Sequence, residues 1–199
     1  MNQSFDVIIV GAGIVGSACA AECARNGLKV LVVDRGPIGG GTTGAGMGHI
    51  VVMDDSEAQF ALTAYSRRLW HQLAEALPAD VEYDQCGTLW LAADEEEMLE
   101  VHRKDKRYGS QGMRVEVLDE PGVAKTEPNL RSGMAGGLRV VEDAVLYPPC
   151  AARFLLEEAA RQGAAVRTGV AVRELLEEGA LFGVCKARQN VSVRRRHKC

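Results

Sequence analysis

The chain has 199 residues and carries 23 Lys and Arg against 27 Asp and Glu, a formal charge of -4. A mildly acidic surface attracts neither nucleic acid nor an anionic membrane, which leaves a small metabolite as the expected partner. The length suits one domain, or one domain with part of another, and is enough to bury a core.

Asp6 and the absence of Lys or Arg before Val7 argue against a secretory leader, and no long uninterrupted apolar run follows, so a cytoplasmic protein is expected. Phe5 to Val10, "FDVIIV", reads as a buried parallel strand that stops at Gly11. A helix is expected over residues 14 to 26 with Gly27 at its C-terminal end, followed by a second strand, "KVLVVD", from Lys29 to Asp34. Together they predict a βαβ unit and an α/β fold. Residues 39 to 49, "GGGTTGAGMGH", then interleave glycines with Thr42, Thr43, Met47 and His49, which a plain tether would not need.

Ser56 followed by Gln59 signs a capping box, and Leu62, Tyr65, Leu69, Leu73 and Ala76 recur at helical spacing as an expected core stripe that Pro78 ends. Gly87 to Ala93 reads as a strand. Asp94 to Arg107 places acids first and bases last, the order the helix dipole favours in a solvent-facing helix. Arg114 to Asp119 and Gly137 to Asp143 are further strand candidates. A second helix-then-strand passage, from Pro149 to Gln162 and on through "AAVRTGVAV", repeats the opening pattern, so residues 50–143 are expected to be an insertion. Residues 186–199 hold six Lys or Arg and no acid; they read as a basic tail, non-native or disordered, from a truncated or frame-shifted end, with recruitment of a polyanion as the other reading.

The six cysteines form no CxxC pair, which points to free, packed thiols in a reducing compartment and to no metal site; Cys19 and Cys23 share a helix face but lack further ligands.

Gly11, Gly13 and Gly16 form GxGxxG between the first strand and its helix, and Asp34 ends the second strand 18 residues later. This context makes the motif a dinucleotide fingerprint: Gly11 for the tight turn, Gly13 for approach of the pyrophosphate to the backbone, Gly16 for helix packing, and Asp34 for the ribose hydroxyls. The motif by itself does not separate NAD from FAD.

Residues 5 to 49, with the segment from Asp143 to Val172, resemble the D-amino-acid oxidase superfamily of FAD-dependent amine oxidoreductases, which includes glycine oxidase, sarcosine oxidase and D-amino-acid dehydrogenases. "DVIIVGAGIVGSACA", "VVDRGPIGGGTTGAGMGHI" and "DAVLYPPCAARFLLEEAARQGAAVRTGVAV" carry the likeness. The resemblance implies a Rossmann-like FAD-binding domain of the GR2 type with an inserted partial α+β substrate domain, truncated at the C-terminus: residues 1–49 and 144–185 for FAD, 50–143 for the insertion, 186–199 for the tail. It assigns Gly11, Ala12, Gly13, Ile14, Val15 and Gly16 to the pyrophosphate turn, and Asp34 and Arg35 to the adenosine end. Thr42 and Thr43 fall to the diphosphate, Ala45, Gly46 and Met47 to the flavin, and the backbone of Val172 to the adenine. His49 is the weak catalytic candidate, with local hydrogen bonding as its plainer role, while His71, His102 and His197 read as surface or helix-flank residues.

The implied activity is oxidation of a small amino or imino acid, a D-amino acid, glycine, sarcosine or a proline derivative, by hydride transfer to flavin and hydrolysis of the imine. Members of the superfamily are nearly twice this length, so the chain is expected to be inactive alone, with a peripheral electron acceptor or partner subunit. The alternatives are a noncatalytic nucleotide-binding or interaction fragment and an NAD-dependent dehydrogenase.

Overall fold

Short β-branched runs and helices rich in small residues alternate along the computed structural model, which describes residues 4–178, 181–186 and 189–194. In chain order the elements are β1 (Ser4–Phe5), β2 (Val7–Val10), α1 (Ile14–Arg25), β3 (Val30–Val33), α2 (Thr42–Ala45), β4 (His49–Ile50), α3 (Glu57–Leu73), β5 (Thr88–Ala92) and α4 (Glu95–Ser110). There follow β6 (Val115–Asp119), α5 (Glu120–Thr126), β7 (Gly136–Val140), β8 (Ala144–Val145), α6 (Pro148–Arg161), β9 (Ala165–Arg167), β10 (Glu174–Glu178), β11 (Leu181–Lys186) and β12 (Gln189–Arg194). The chain divides into two compact units, one of residues 1–48, 77–82 and 147–199 and the other of residues 49–76 and 83–146. Both boundaries fall close to the expected insertion, but residues 77–82 return to the first unit, where Tyr147 N–H donates to Val81 O at 2.7 Å.

The first unit is built on a parallel sheet of order β2-β3-β9, with Val7 opposite Val30 and Leu31 opposite Ala165. All four residues of β3 are buried, because the strand is paired on both sides and covered on both faces. Strand periodicity divides them: Val30 and Val32 pack with Ala20, Ala21 and Ala24 of α1 and Leu156 and Ala159 of α6, while Leu31 and Val33 pack with Phe5, Ala165 and Val172. The alanines let the two helices approach closely. They also account for the cysteines: Cys19 is exposed and Cys23 half-buried, since Ser17, Ala20, Ala21 and Ala24 occupy the inner face of α1. Cys86 is exposed as well and Cys150 half-buried; all four are free thiols, and Cys23 packs against the core, while Cys19 and Cys86 are not the packed thiols expected.

Two features depart from expectation. Strand β2 lies at a sheet edge and is paired only with β3 among the described residues, whereas the dinucleotide topology places the fingerprint strand inside its sheet. The expected disordered tail is also corrected in part: β12 pairs antiparallel with β11 and parallel with β1, since alternation in "QNVSVR" suits a strand and β1 offers it an edge. Residues 187–188 and 195–199 lie outside the described residues.

The second unit centres on an antiparallel sheet of order β5-β7-β6, with a separate β4-β8 pair. Its core joins Ala92, Leu138 and Val140 of the sheet to Val101 and Tyr108 of α4 and Phe60 of α3. Here the expected α3 stripe is wrong in phase: Leu62, Tyr65 and Leu69 are exposed, Leu62 by 68%, and the buried or half-buried face is Phe60, Ala64, Arg67 and His71. Both sets have helical spacing, and an ion pair decides between them. Arg67 is buried because Nη1 donates to Asp143 Oδ1 at 3.0 Å and Nη2 to Glu142 Oε2 at 2.9 Å. His71, expected at the surface, is half-buried with Nε2 at 2.9 Å from Glu142 O. Helix α4 is likewise not merely solvent-facing: Lys104 turns inward, Nζ lying 2.7 Å from Asp54 Oδ1 and 4.9 Å from the centre of the Trp90 ring.

Burial holds the Asp143 carboxyl above its ordinary value against the opposing pull of Thr88 and Arg67. Removing Arg67 therefore strands a buried acid, and Arg67→Met is expected to cost about 3 kcal/mol in urea unfolding. For Asp54, burial works against ionisation, but the Lys104 hydrogen bond and the charges of Lys104 and Arg107 outweigh it and leave the carboxyl below its ordinary value. The pair thus stabilises the fold above about pH 4 and loses its contribution as pH falls through the depressed value. Asp54→Asn should lower stability at about pH 6, and the gap to wild type should close toward about pH 2.

Candidate cofactor site

The site grows from the junction of β2 and α1. Gly11 takes φ +112, a conformation that side chains resist, and so turns the chain sharply after the strand. A Cβ on Gly16 would lie 2.0 Å from Gly11 O, so only glycine lets the first turn of α1 close over the end of β2. That first turn contains no acidic residue and has no side-chain cap from its own N-cap Gly13. Its amide groups and the positive end of a 12-residue helix dipole thus suit an anion. Val15, on this turn, is 73% exposed.

Asp34, at the end of β3, ties this turn to the segment that follows. Its Oδ2 accepts from Ala12 N at 2.7 Å and its Oδ1 from Gly36 N at 2.7 Å, while its own main chain is held by Arg167 O and by Val170 N. Asp34 was expected to serve the ribose; it first serves as an internal clasp, and each carboxylate oxygen keeps a further lone pair for a hydroxyl. Gly39 N donates to Ala12 O at 2.9 Å, which brings the glycine-rich stretch back onto the turn. There the stretch forms the single turn α2, and Thr43 Oγ1 accepts from Ile14 N at 3.0 Å.

The sequence-expected positions of the fingerprint, Asp34, Arg35, Thr42, Thr43, Ala45, Gly46, Met47 and Val172 all fall within the first unit. Hydrogen bonds join Ala12 to Asp34 and Ile14 to Thr43, and Gly46 N donates to Thr43 O. Arg35, Thr42, Ala45 and Met47 are exposed, Met47 by 79%. Val172 is half-buried and packs its side chain against Phe5, Leu31 and Val33. Pro149 is a position that the sequence reading did not connect to the site. Its Cα lies 2.9 Å from where a Cβ on Gly39 would stand, so the start of α6 backs the glycine-rich loop. A contact across about a hundred residues of sequence has no local signal.

His49 begins the second unit and does not share these contacts. It is exposed on β4, paired through its backbone with Val145, and its ring has no hydrogen-bond partner among the described residues, so the expected local bonding role is not seen. With Met53, Asp54, Thr88, Trp90 and Val145 it lines a cavity of about 520 Å³. Among the described residues no cluster of His, Cys, Asp or Glu suits a metal ion.

The donor set fits a flavin adenine dinucleotide on this chain's own observations: a glycine turn closed by backbone contact, an acid-free helix start, a carboxylate after β3 with lone pairs to spare and hydroxyls on a glycine loop anchored to the turn. Two substitutions test the scaffold. Asp34→Asn replaces one acceptor by a donor facing an amide and should cost about 2 kcal/mol in urea unfolding of the ligand-free chain. Gly16→Ala, which must displace Gly11 O, should cost about 3 kcal/mol and abolish FAD binding.

Comparisons with known proteins show what the chain and its fold are similar to. A glycine oxidase of Geobacillus kaustophilus (strain HTA426) is 29% identical over 172 residues, covering 82% of this chain and 46% of that protein. A mitochondrial pyruvate dehydrogenase phosphatase regulatory subunit of Mus musculus is 26% identical over 182 residues, 89% of this chain but 21% of that protein. The crystal structure of glycine oxidase from Geobacillus kaustophilus superposes with a TM-score of 0.86 at 25% identity, over 96% of this chain and 54% of that one. The chain therefore spans about half the length of the glycine oxidases it matches. The model of the family DAO, FAD dependent oxidoreductase, matches residues 6–197, and the chain belongs to that family.

Proposed function

We propose that this chain is the dinucleotide-binding half of an FAD-dependent oxidoreductase that oxidises a small amino or imino acid, such as glycine, sarcosine, a D-amino acid or a proline derivative. The observation that carries the reading is the joining of two glycine-rich segments, the Gly11–Gly16 turn and the Thr42–Met47 loop, by the Ile14–Thr43 hydrogen bond. Family membership favours FAD over a nicotinamide cofactor. The names glycine oxidase and L-proline dehydrogenase among its structural relatives support the substrate class.

When bound, FAD supplies the acceptor for the two electrons leaving the carbon that bears the amine. The chain's own part is binding and orientation. Amides at the start of α1 and the hydroxyls of Thr42 and Thr43 would hold the diphosphate by hydrogen bonds, and Asp34 would order the adenosine end. Ala45 and Gly46 would offer backbone with little side chain to the flavin, and the exposed Met47 an apolar side chain beside it. No side chain of the first unit is assigned a proton, because a neutral substrate amine requires none.

Turnover is assigned to an assembly larger than these residues. The open edge of β2 and the half-length match support that assignment, since the interior position of the fingerprint strand calls for a further neighbour. The proposal places the enzyme in the cytoplasm and leaves reoxidation to a peripheral acceptor or partner subunit. A second reading, a noncatalytic nucleotide-binding or interaction fragment, draws on the exposed Leu62, Tyr65 and Leu69.

Equilibrium dialysis of the purified chain against FAD and against NAD tests the reading. FAD retained in preference to NAD, with no bleaching of its visible absorbance by added glycine, sarcosine or proline, is expected. Retention of neither nucleotide, or of NAD alone, would overturn it.

A further inference from the structure

The second glycine of a dinucleotide fingerprint is ordinarily explained by approach of the pyrophosphate to the backbone. In this chain its surroundings say something else. Gly13 has φ -77 and ψ 179, an extended conformation open to any residue, so its backbone does not demand glycine. A Cβ built there would stand 2.9 Å from Thr43 Oγ1, and no other atom among the described residues, chain neighbours aside, lies within 4 Å. The same oxygen accepts from Ile14 N at 3.0 Å. Gly13 is thus empty at the point where Thr43 must stand to reach the first amide of α1.

We propose that Gly13 and Thr43 form an interlock: the missing side chain at residue 13 admits the Thr43 hydroxyl, which caps Ile14 from the flavin loop and positions that loop before any cofactor arrives. Thr43 is then a positioning residue, distinct from a ligand that only meets phosphate. Having accepted from Ile14, its Oγ1 keeps its own proton to donate, so the helix start acts on an anionic oxygen through Thr43. The link to the cofactor rests on the FAD reading above; the interlock itself concerns the ligand-free chain.

Three consequences follow from the geometry. A side chain at residue 13 must rotate Thr43 and break the Ile14 bond. Removal of the hydroxyl must free the Ile14 amide. Removal of both Oγ1 and Cγ2 of Thr43 must make room at residue 13.

Amide hydrogen exchange and urea unfolding of the full chain without FAD read all three. Thr43→Val should speed exchange at Ile14 about fivefold, the factor for one lost hydrogen bond, and Thr43→Ser should restore it. Gly13→Ala should lower the urea midpoint in the wild-type background and leave it nearly unchanged in Thr43→Ala, a non-additive double-mutant cycle. FAD affinity should fall about tenfold in Thr43→Val and recover in Thr43→Ser. Unchanged exchange at Ile14 in Thr43→Val, or an additive cycle, overturns the interlock even in a chain that binds FAD. Protection at Ile14 that depends on Thr43, with a coupled cycle but no FAD binding, upholds the interlock and overturns the functional reading.

Discussion

The organisation of the first unit depends on the carboxylate of Asp34. One oxygen holds the amide of Ala12 and the other that of Gly36, so the turn after β2 and the segment after β3 are fastened to a single group just after a fully buried strand. A carboxylate accepting from two amides makes charge-assisted bonds, stronger than neutral ones and directional. The direction matters here. It fixes where Gly39 returns to the turn, and from there where Thr43 meets α1.

Packing explains why that fastening can be rigid. Alanines on α1 bring it close to α6, and both rest on Val30 and Val32. Pro149, at the beginning of α6, in turn backs Gly39. The helix pair thus supports the glycine-rich loop from behind, while Val15 and Met47 are exposed. The second unit solves a different problem: α3 buries Arg67 against two carboxylates, so charge pairing sets which face of α3 turns inward, while α4 turns its apolar Val101 and Tyr108 inward and pairs the half-buried Lys104 with Asp54.

That contrast describes what could be read from sequence. Strong local signals were legible: the β-branched runs of β2 and β3, the fingerprint glycines and the Ser56 cap, whose hydroxyl accepts from Gln59 N as expected. Phase was not legible where a charge is buried, because Leu62, Tyr65 and Leu69 obey helical spacing as well as Phe60, Ala64 and Arg67 do. Asp143 and Glu142, far along the chain, decide the matter. The site residues were legible as a list, through the glycine pattern and a family resemblance, but their connections were not. Nothing local to Thr43 says that its partner is Ile14, and the backing of Gly39 by Pro149 is a purely tertiary fact.

Under the proposed function, the Gly11–Gly16 turn, Asp34 and the Thr42–Met47 loop, joined in the ligand-free chain, together hold FAD. Amide chemical-shift mapping during an FAD titration of the full chain tests it most directly. The largest changes are expected at Gly11–Gly16, Asp34 and Thr42–Met47, with α4 unaffected. Changes centred on α3 and α4, or none in the glycine segments, would contradict it.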